Sequence, residues 1–423
     1  MKKLLNKLEG DKVIWAICIL LALWSILVVY SATGSKSYLR WDGNSEHYLF
    51  KHVILTLLGL GTMYICHKID YNYYRVISRI FLIASACLLL FAYFFGSEIN
   101  SAARWIRVPV VGFTFQPSDI AKLALITNMA SMLSKRQRSI KEFRRVFLKL
   151  LSWTGVICML IGLTDFSTAA LLAGTIVLLF FIGRVPVKYI SLLVFGVIVF
   201  LGVALYSGQR LGTVVNRTLT YLDKDQMSEQ SVQSHIALAS GGFAGKGIGQ
   251  STQRNFLPLS YSDFIYAVIV EEYGFMGGVF LIFLYLVILW RGMITIAHSK
   301  RAFGGLLAAG LTFSVVIQAF VHICVVVGIL PLTGLPLPFM SMGGTSLVFT
   351  GATLGIVLSV GRTQLEEEEE SLPSFHPEDR GGLLEDEPII EQEEAVQETQ
   401  KVNTLYGGSY RKGSSRVSNF KRD

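Results

Sequence analysis

The stretch Ser251–Gly278, STQRNFLPLSYSDFIYAVIVEEYGFMGG, closes a long polar insertion and runs directly into apolar sequence that carries three carboxylates, Asp263, Glu271 and Glu272. From Phe264 to Arg291 the chain is apolar enough for one helix, which over 28 residues would be about 42 Å long. A bilayer's hydrocarbon core is only about 30 Å thick. The run is therefore expected as two pieces, hinged near Gly274, Gly277 and Gly278, with Asp263 at the start of the first. A carboxylate at membrane depth is expensive and points to function.

The surrounding composition gives the class. Of 423 residues, 52% are hydrophobic and 16% charged, against about 25% charged in a soluble globular protein. The expected fold class is an all-α polytopic membrane protein. Apolar windows of spanning length fall near 13–31, 49–66, 77–96, 118–134, 146–163, 168–183, 189–206, 276–292, 303–327 and 345–361, ten spans in all. The expected organisation is a cytoplasmic N-terminus (1–12), a ten-helix membrane domain (13–361) and a charged, disordered cytoplasmic tail (362–423). Residues 207–262 make a large extracytoplasmic loop between helices 7 and 8. No small-residue cleavage site follows the first apolar run, which reads as a retained span.

Charge sets the orientation. The net +8 conceals a tail with 8 basic and 15 acidic residues, so the membrane body is strongly basic. Nineteen Lys and Arg, Arg291 among them, fall in loops on one side, and five fall in the short loops of the other. Excess Lys and Arg mark the cytoplasmic side, so both termini are expected there and the basic balance does not imply nucleic acid. Eleven of the fifteen acidic residues outside the tail lie on the opposite side.

Three segments on that outer side stand out: Ser97–Lys122, the insertion, and Gly328–Thr345 (GILPLTGLPLPFMSMGGT). The last holds Pro331, Pro336 and Pro338 together with Gly328, Gly334, Gly343 and Gly344, and cannot be a simple helix. Irregular backbone at membrane depth survives where it is buried in protein or lines a wet cavity, so this segment is expected to form a cavity wall. Gly241–Gly249 (GGFAGKGIG) is not a Walker loop, because Lys246 is followed by Gly. Its amides could hold a diphosphate, or it could be a plain turn. Arg104 and Trp105 are either an interfacial anchor or a phosphate clamp. Lys122 lies three residues after Asp119, the spacing of a local ion pair. Five cysteines in apolar runs read as small core residues, and His322 as a hydrogen-bond partner of another helix. The residues alone leave two functions open: an enzyme acting on an outer-leaflet lipid-linked substrate, or a transporter.

The motifs carry a resemblance. SAARWI with QPSDIAKLALI, TDFSTA, QSHIALASGGFAGKGIGQSTQR with LPLSYSDFIYAVIVEEYGFMGG, and GILPLTGLPLPFMSMGGTS occur in the order found in the SEDS family (shape, elongation, division and sporulation). The resemblance spans residues 13–361 and is strongest to the division branch, with the elongation branch close behind. It implies a peptidoglycan glycosyltransferase that polymerises lipid II on the outer face of the cytoplasmic (inner) membrane at the septum. The alternative activity is lipid II flipping. It implies a class B penicillin-binding transpeptidase and other division proteins as partners.

The family's essential aspartate corresponds to Asp263, expected as catalytic base or as ligand to Mg²⁺ or Mn²⁺. Arg104, Trp105, Gln116, Lys122, Lys246 and Ser251 are expected to bind substrate or diphosphate. Asp119, Asp165, Glu271, Glu272, Pro338, Ser341, Gly343 and Gly344 are expected to support them. The family's Glu and His ahead of the aspartate are absent here, where the sequence reads Pro258-Leu259-Ser260-Tyr261-Ser262.

Overall fold

The computed structural model describes residues 10–40, 46–98, 103–107, 114–135, 140–207, 211–222, 228–257 and 259–371. Of the expected disordered tail, residues 372–423 lie outside this set, as do the first nine residues, while 362–371 are ordered and continue the last helix. Seven helices come first: α1 Lys12–Arg40, α2 Glu46–Lys68, α3 Tyr71–Phe95, α4 Pro117–Ser134, α5 Ile140–Gly162, α6 Phe166–Ile182 and α7 Val187–Ser207. The insertion holds α8 Leu211–Leu222 and α9 Glu229–Gly241, and the chain continues with α10 Ile265–Ala297, α11 Ala302–Val327 and α12 Ser346–Ser371. Apart from α8 and α9, these helices fall on the ten expected spans. Six are long and apolar enough to cross a membrane, and α5, α6 and α7 each contain a shorter apolar stretch. The chain is an all-α polytopic membrane protein with a long connection between its seventh and eighth spanning helices.

Local sequence explains the helix starts. Asp70, Asp165 and Ser228 cap α3, α6 and α9, accepting hydrogen bonds from the backbone N–H of Asn72, Thr168 and Ser231. Pro117 opens α4, where its missing N–H costs nothing.

Packing follows membrane rules. On α2 the buried residues are His52, Leu55, Thr56, Gly59, Met63 and His67, while Phe50, Leu57, Leu58 and Ile65 point outward. Large apolar side chains face lipid and small ones let helices approach. A Cβ on Gly351 or Gly355 of α12 would run into the backbone of α2 at Gly59 or Met63. Thr62 Oγ1 donates to Val348 O at 3.1 Å across the same contact.

The helices alternate in direction, so their ends form two sets. At one end Asp11 and Arg291 pair, Gln364 donates to Thr295 O, and Ser359 to Ile69 O. At the other lie the insertion, the turn before α10 and the Gly328–Thr345 segment.

Four details differ from expectation. Arg291 is not a loop cation: it is 2% exposed and its Nε lies 2.5 Å from Asp11 Oδ2, because Asp11 turns into the bundle as it caps α1. Cys87 is exposed on the outer surface of α3, unlike the buried Cys18 and Cys158. His322 Nδ1 donates to Leu335 O at 2.7 Å, so its partner is the irregular segment rather than a helix. Ser97–Lys122 also carries a small antiparallel sheet, β1 Ser97–Glu98, β2 Ala103–Arg107 and β3 Thr114–Phe115, in the order β1-β2-β3.

Candidate active site

Asp263 sits in a turn that delivers it to the start of α10. Leu259 takes a left-handed conformation (φ 58°), and its carbonyl accepts from the N–H of Ser262 at 2.9 Å and of Asp263 at 3.0 Å. Ser262 Oγ donates to Asp263 Oδ1 at 3.0 Å. The carboxylate is half-buried.

The Gly328–Thr345 segment holds this turn. Ser341 Oγ donates to Ser262 O at 2.7 Å and accepts from Leu337 N at 2.8 Å. Met342 N donates to Tyr261 O at 3.0 Å. Gly334 has φ 70°, and a Cβ there would lie 3.5 Å from Asp263 Oδ2. A glycine is favoured by that backbone angle, and a Cβ there would sit in ordinary contact with the carboxylate. Gly344 has φ 61°, and a Cβ on Gly343 would press on Pro336 and Ser346 at 3.2 Å. Tyr285 Oη donates to Pro338 O at 2.5 Å, anchoring the segment on α10.

The same segment reaches the cation on α4. Lys122 Nζ lies 2.9 Å from Asp119 Oδ1 and 3.4 Å from Gln318 Oε1. Gln318 Nε2 in turn donates to Pro336 O at 2.8 Å. These groups border a cavity of about 30 Å³, the size of one water, lined also by Pro338. Gln116 N donates to Thr345 Oγ1 at 3.4 Å. Asp119, Lys122, Gln116, Pro338, Ser341 and Asp263 therefore all attach to one irregular wall. Asp165 lies elsewhere in that end, as the buried cap of α6. Arg104 and Trp105 have their backbone in β2, and their side chains lie outside the described set.

Glu271 and Glu272 belong to the helix break. α10 is interrupted at Gly274 (φ 73°, ψ −173°). In an unbroken helix the N–H groups of residues 275 and 276 would bond the carbonyls of 271 and 272. Here Phe275 N donates to Gly242 O at 2.9 Å and Met276 N to Phe243 O at 3.4 Å. The freed carbonyls of Glu271 and Glu272 accept from Lys246 N at 2.9 Å and Gly247 N at 3.0 Å. The glycine-rich turn thus splices the break, satisfying groups that lipid could not. Gly245 and Gly247 adopt positive φ to do so.

The side chains strengthen the splice. Glu271, fully buried, accepts from Lys246 Nζ at 2.6 Å, Ser251 Oγ at 2.5 Å, Thr252 Oγ1 at 2.9 Å and Thr252 N at 3.1 Å. Glu272 accepts from Ser31 Oγ of α1, and Arg254 Nη1 donates to Ser31 O at 2.8 Å. Lys246 and Ser251 are brought together by this network, on Glu271.

Among the described residues no group of three or more His, Cys, Asp and Glu could hold a metal ion. Among the described residues the carboxylates attached to the irregular wall are Asp263, through its turn, and Asp119, through its ion pair with Lys122.

Two larger cavities adjoin that wall. One of about 1010 Å³ lies between α8, α9 and residues 328–332. The other, an apolar cleft of about 510 Å³, lies between α6, α8, α11 and residues 331–335. Thr333 and Leu335, on either side of Gly334, line the cleft. Sequence reading did not single out Arg217, Tyr221 or Arg254. Arg217 and Tyr221 sit in a polar insertion whose amphipathic pattern over Leu211–Leu222 was the available signal.

Comparison with known proteins bears on the whole bundle. The FtsW/RodA/SpoVE family model, described as "Cell cycle protein", matches residues 11–366. The chain is similar to stage V sporulation protein E of Bacillus subtilis, 31% identical over 84% of this chain and 98% of that one. It is similar to the probable peptidoglycan glycosyltransferase FtsW of Geobacter sulfurreducens, 33% identical over 83% of this chain and 94% of that one. Its fold matches a chain of a peptidoglycan synthase complex that coordinates polymerization and crosslinking (TM-score 0.65, 24% identity, covering 83% and 98%). It also matches the Thermus thermophilus rod shape determining protein RodA (TM-score 0.60, 24% identity, covering 83% and 97%). With the family pattern running from the cap of α1 into the last turns of α12, the chain belongs to the FtsW/RodA/SpoVE family.

Proposed function

We propose that this chain is a peptidoglycan glycosyltransferase that polymerises lipid II on the outer face of the cytoplasmic membrane, in the division role. Relatives of 30–33% identity carry the name "Probable peptidoglycan glycosyltransferase FtsW". The observation that carries the reading is the Asp263 carboxylate, seated on a turn that the irregular wall locks and faced by Gly334. The Lys and Arg asymmetry supports reading that end as the outer one and both termini as cytoplasmic.

The chemistry follows from the substrate. The 4-hydroxyl of an acceptor sugar attacks C1 of a donor sugar on polyprenyl diphosphate, from the face opposite the leaving group. The new C1–O bond forms as the bond to the diphosphate breaks, and the anomeric centre inverts. Asp263 takes the hydroxyl proton as general base. The leaving diphosphate gains negative charge, which Lys122 and Arg104 offset. In the alternative role, Asp263 would hold a Mg²⁺ or Mn²⁺ ion, for which a carboxylate is a suitable donor, and the ion would supply positive charge for the diphosphate. A class B transpeptidase is the expected partner, since the matching fold in the synthase complex works alongside crosslinking.

Purified full-length protein with its transpeptidase partner, given labelled lipid II in detergent, tests the proposal. A polymerase makes long glycan without a bilayer. A flippase makes none in detergent and moves lipid II across vesicles instead, and that result would overturn the proposal.

A further inference from the structure

The peptide unit between Pro336 and Leu337 is hydrogen-bonded at both ends, and each bond leads to a different part of the site. Its N–H, from Leu337, donates to Ser341 Oγ at 2.8 Å, and Ser341 Oγ donates to the carbonyl of Ser262, the residue before Asp263, at 2.7 Å. Its oxygen, from Pro336, accepts from Gln318 Nε2 at 2.8 Å, and Gln318 Oε1 lies 3.4 Å from Lys122 Nζ. A peptide unit is planar and turns as a whole, so one rigid plate joins the turn that carries Asp263 to the cation on α4. Gln318 is buried within α11. A buried amide is costly without partners, and both ends of this one are used. The ammonium only donates and the Pro336 carbonyl only accepts, so each meets the end of the amide that suits it.

We propose that Gln318 is a positioning residue for glycosyl transfer: through the 336–337 peptide unit it fixes the ammonium of Lys122 relative to the carboxylate of Asp263. This rests on the glycosyltransferase reading, in which the ammonium offsets charge on the leaving diphosphate while the carboxylate takes the hydroxyl proton. Asp119 cannot do the same work. Its pair with Lys122, at 2.9 Å, lies within α4 and ties the lysine to its own helix, not to the wall. Gln318 comes from another helix and bonds the wall itself. His322, one turn further along α11, donates to the neighbouring carbonyl of Leu335 at 2.7 Å. It supports the wall but has no hydrogen bond to Lys122, which makes it the natural control.

The test is a double-variant cycle on kcat for glycan synthesis, with full-length protein, its transpeptidase partner and labelled lipid II in detergent. Gln318→Met is close in length and bonds neither partner. It should lower kcat by about tenfold or more, the loss expected for a hydrogen bond to a charged group. In a Lys122→Met background the same change should cost less than about twofold, because a residue that acts through Lys122 has nothing left to position. His322→Leu, which frees the wall without touching Lys122, should cost the same factor in both backgrounds. Gln318→Asn keeps an amide but is one carbon too short to span both partners. It should also be slow with Lys122 present and not without it, which keeps the proposal testable if Gln318→Met does not fold. Wild-type kcat in either Gln318 variant, an equal loss with and without Lys122, or the same coupling shown by His322 overturns the role. Any of these, with glycan made by wild type, would leave the polymerase standing. Wild type that makes no glycan would overturn the polymerase reading itself, and this role with it.

Discussion

Lys246 Nζ lies 2.6 Å from Glu271 Oε1, joining the glycine-rich turn of the insertion to the helix that follows Asp263. The contact is one-sided in burial, with Lys246 30% exposed and Glu271 fully enclosed. Removing one partner of a buried pair typically costs about 3–5 kcal/mol, whereas a partly solvated lysine is screened and worth less. Glu271→Ala should therefore lower the melting temperature in detergent clearly more than Lys246→Ala. Equal shifts would mean that the network around Ser251 and Thr252 does not hold the turn.

Gly274→Ala addresses the splice itself. A Cβ at this left-handed position would run into the backbone of Phe243, Ala244 and Gly245. The variant is expected to lose stability and to loosen the Gly241–Gly249 turn, read as faster proteolysis of the insertion. Gly61→Ala, where an added Cβ meets nothing within 4 Å, should be close to neutral. Comparable behaviour of the two would contradict the account of the break.

Much of this was legible in advance. The length of the apolar run against bilayer thickness requires a break near Gly274, and the structure places it there. Proline and glycine spacing marks Gly328–Thr345 as irregular, and it is the wall that carries Asp263, Lys122 and Gln116. What periodicity does not reveal is which partners long-range folding brings together. That the amide of Lys246 meets the carbonyl of Glu271 is one such contact, which spacing along the chain does not show. Arg291 counts as a loop cation until Asp11 is found beside it. An insertion read as one loop hides α8 and α9: an amphipathic pattern marks α8, whereas α9 carries little of one. Their packing is set by α10, α11 and the wall.

Ser341 should matter for rate more than its size suggests. Its hydroxyl bonds both Ser262 O and Leu337 N. Ser341→Ala leaves a buried donor and an acceptor short of partners, at about 1–3 kcal/mol. It also frees the turn that aims Asp263. The expected signature is a fall in kcat for glycan synthesis with KM for lipid II less affected. A pure KM effect would point to a substrate contact instead.

The pair Asp11–Arg291 stands at the opposite end of the bundle and should be purely structural. Both groups are nearly inaccessible, at 3% and 2% exposure. Asp11→Ala strands the guanidinium and removes the cap of α1, and is expected to destabilise by about 3–5 kcal/mol. Replacing both residues with apolar ones of similar size should recover much of that loss. A double-variant cycle on thermal unfolding measures it, and additive losses would show that the pair is not coupled.

The central claim is that the carboxylate of Asp263 drives sugar transfer. Asp263→Asn keeps the shape of the side chain and can still accept from Ser262 Oγ, so the protein should insert, fold and bind its transpeptidase normally. General-base catalysis typically contributes 10²–10⁴-fold. Polymerisation of labelled lipid II in detergent by Asp263→Asn with its partner should therefore be slower than wild type by about a hundredfold or more. Glycan made at a near wild-type rate by that variant would contradict the account.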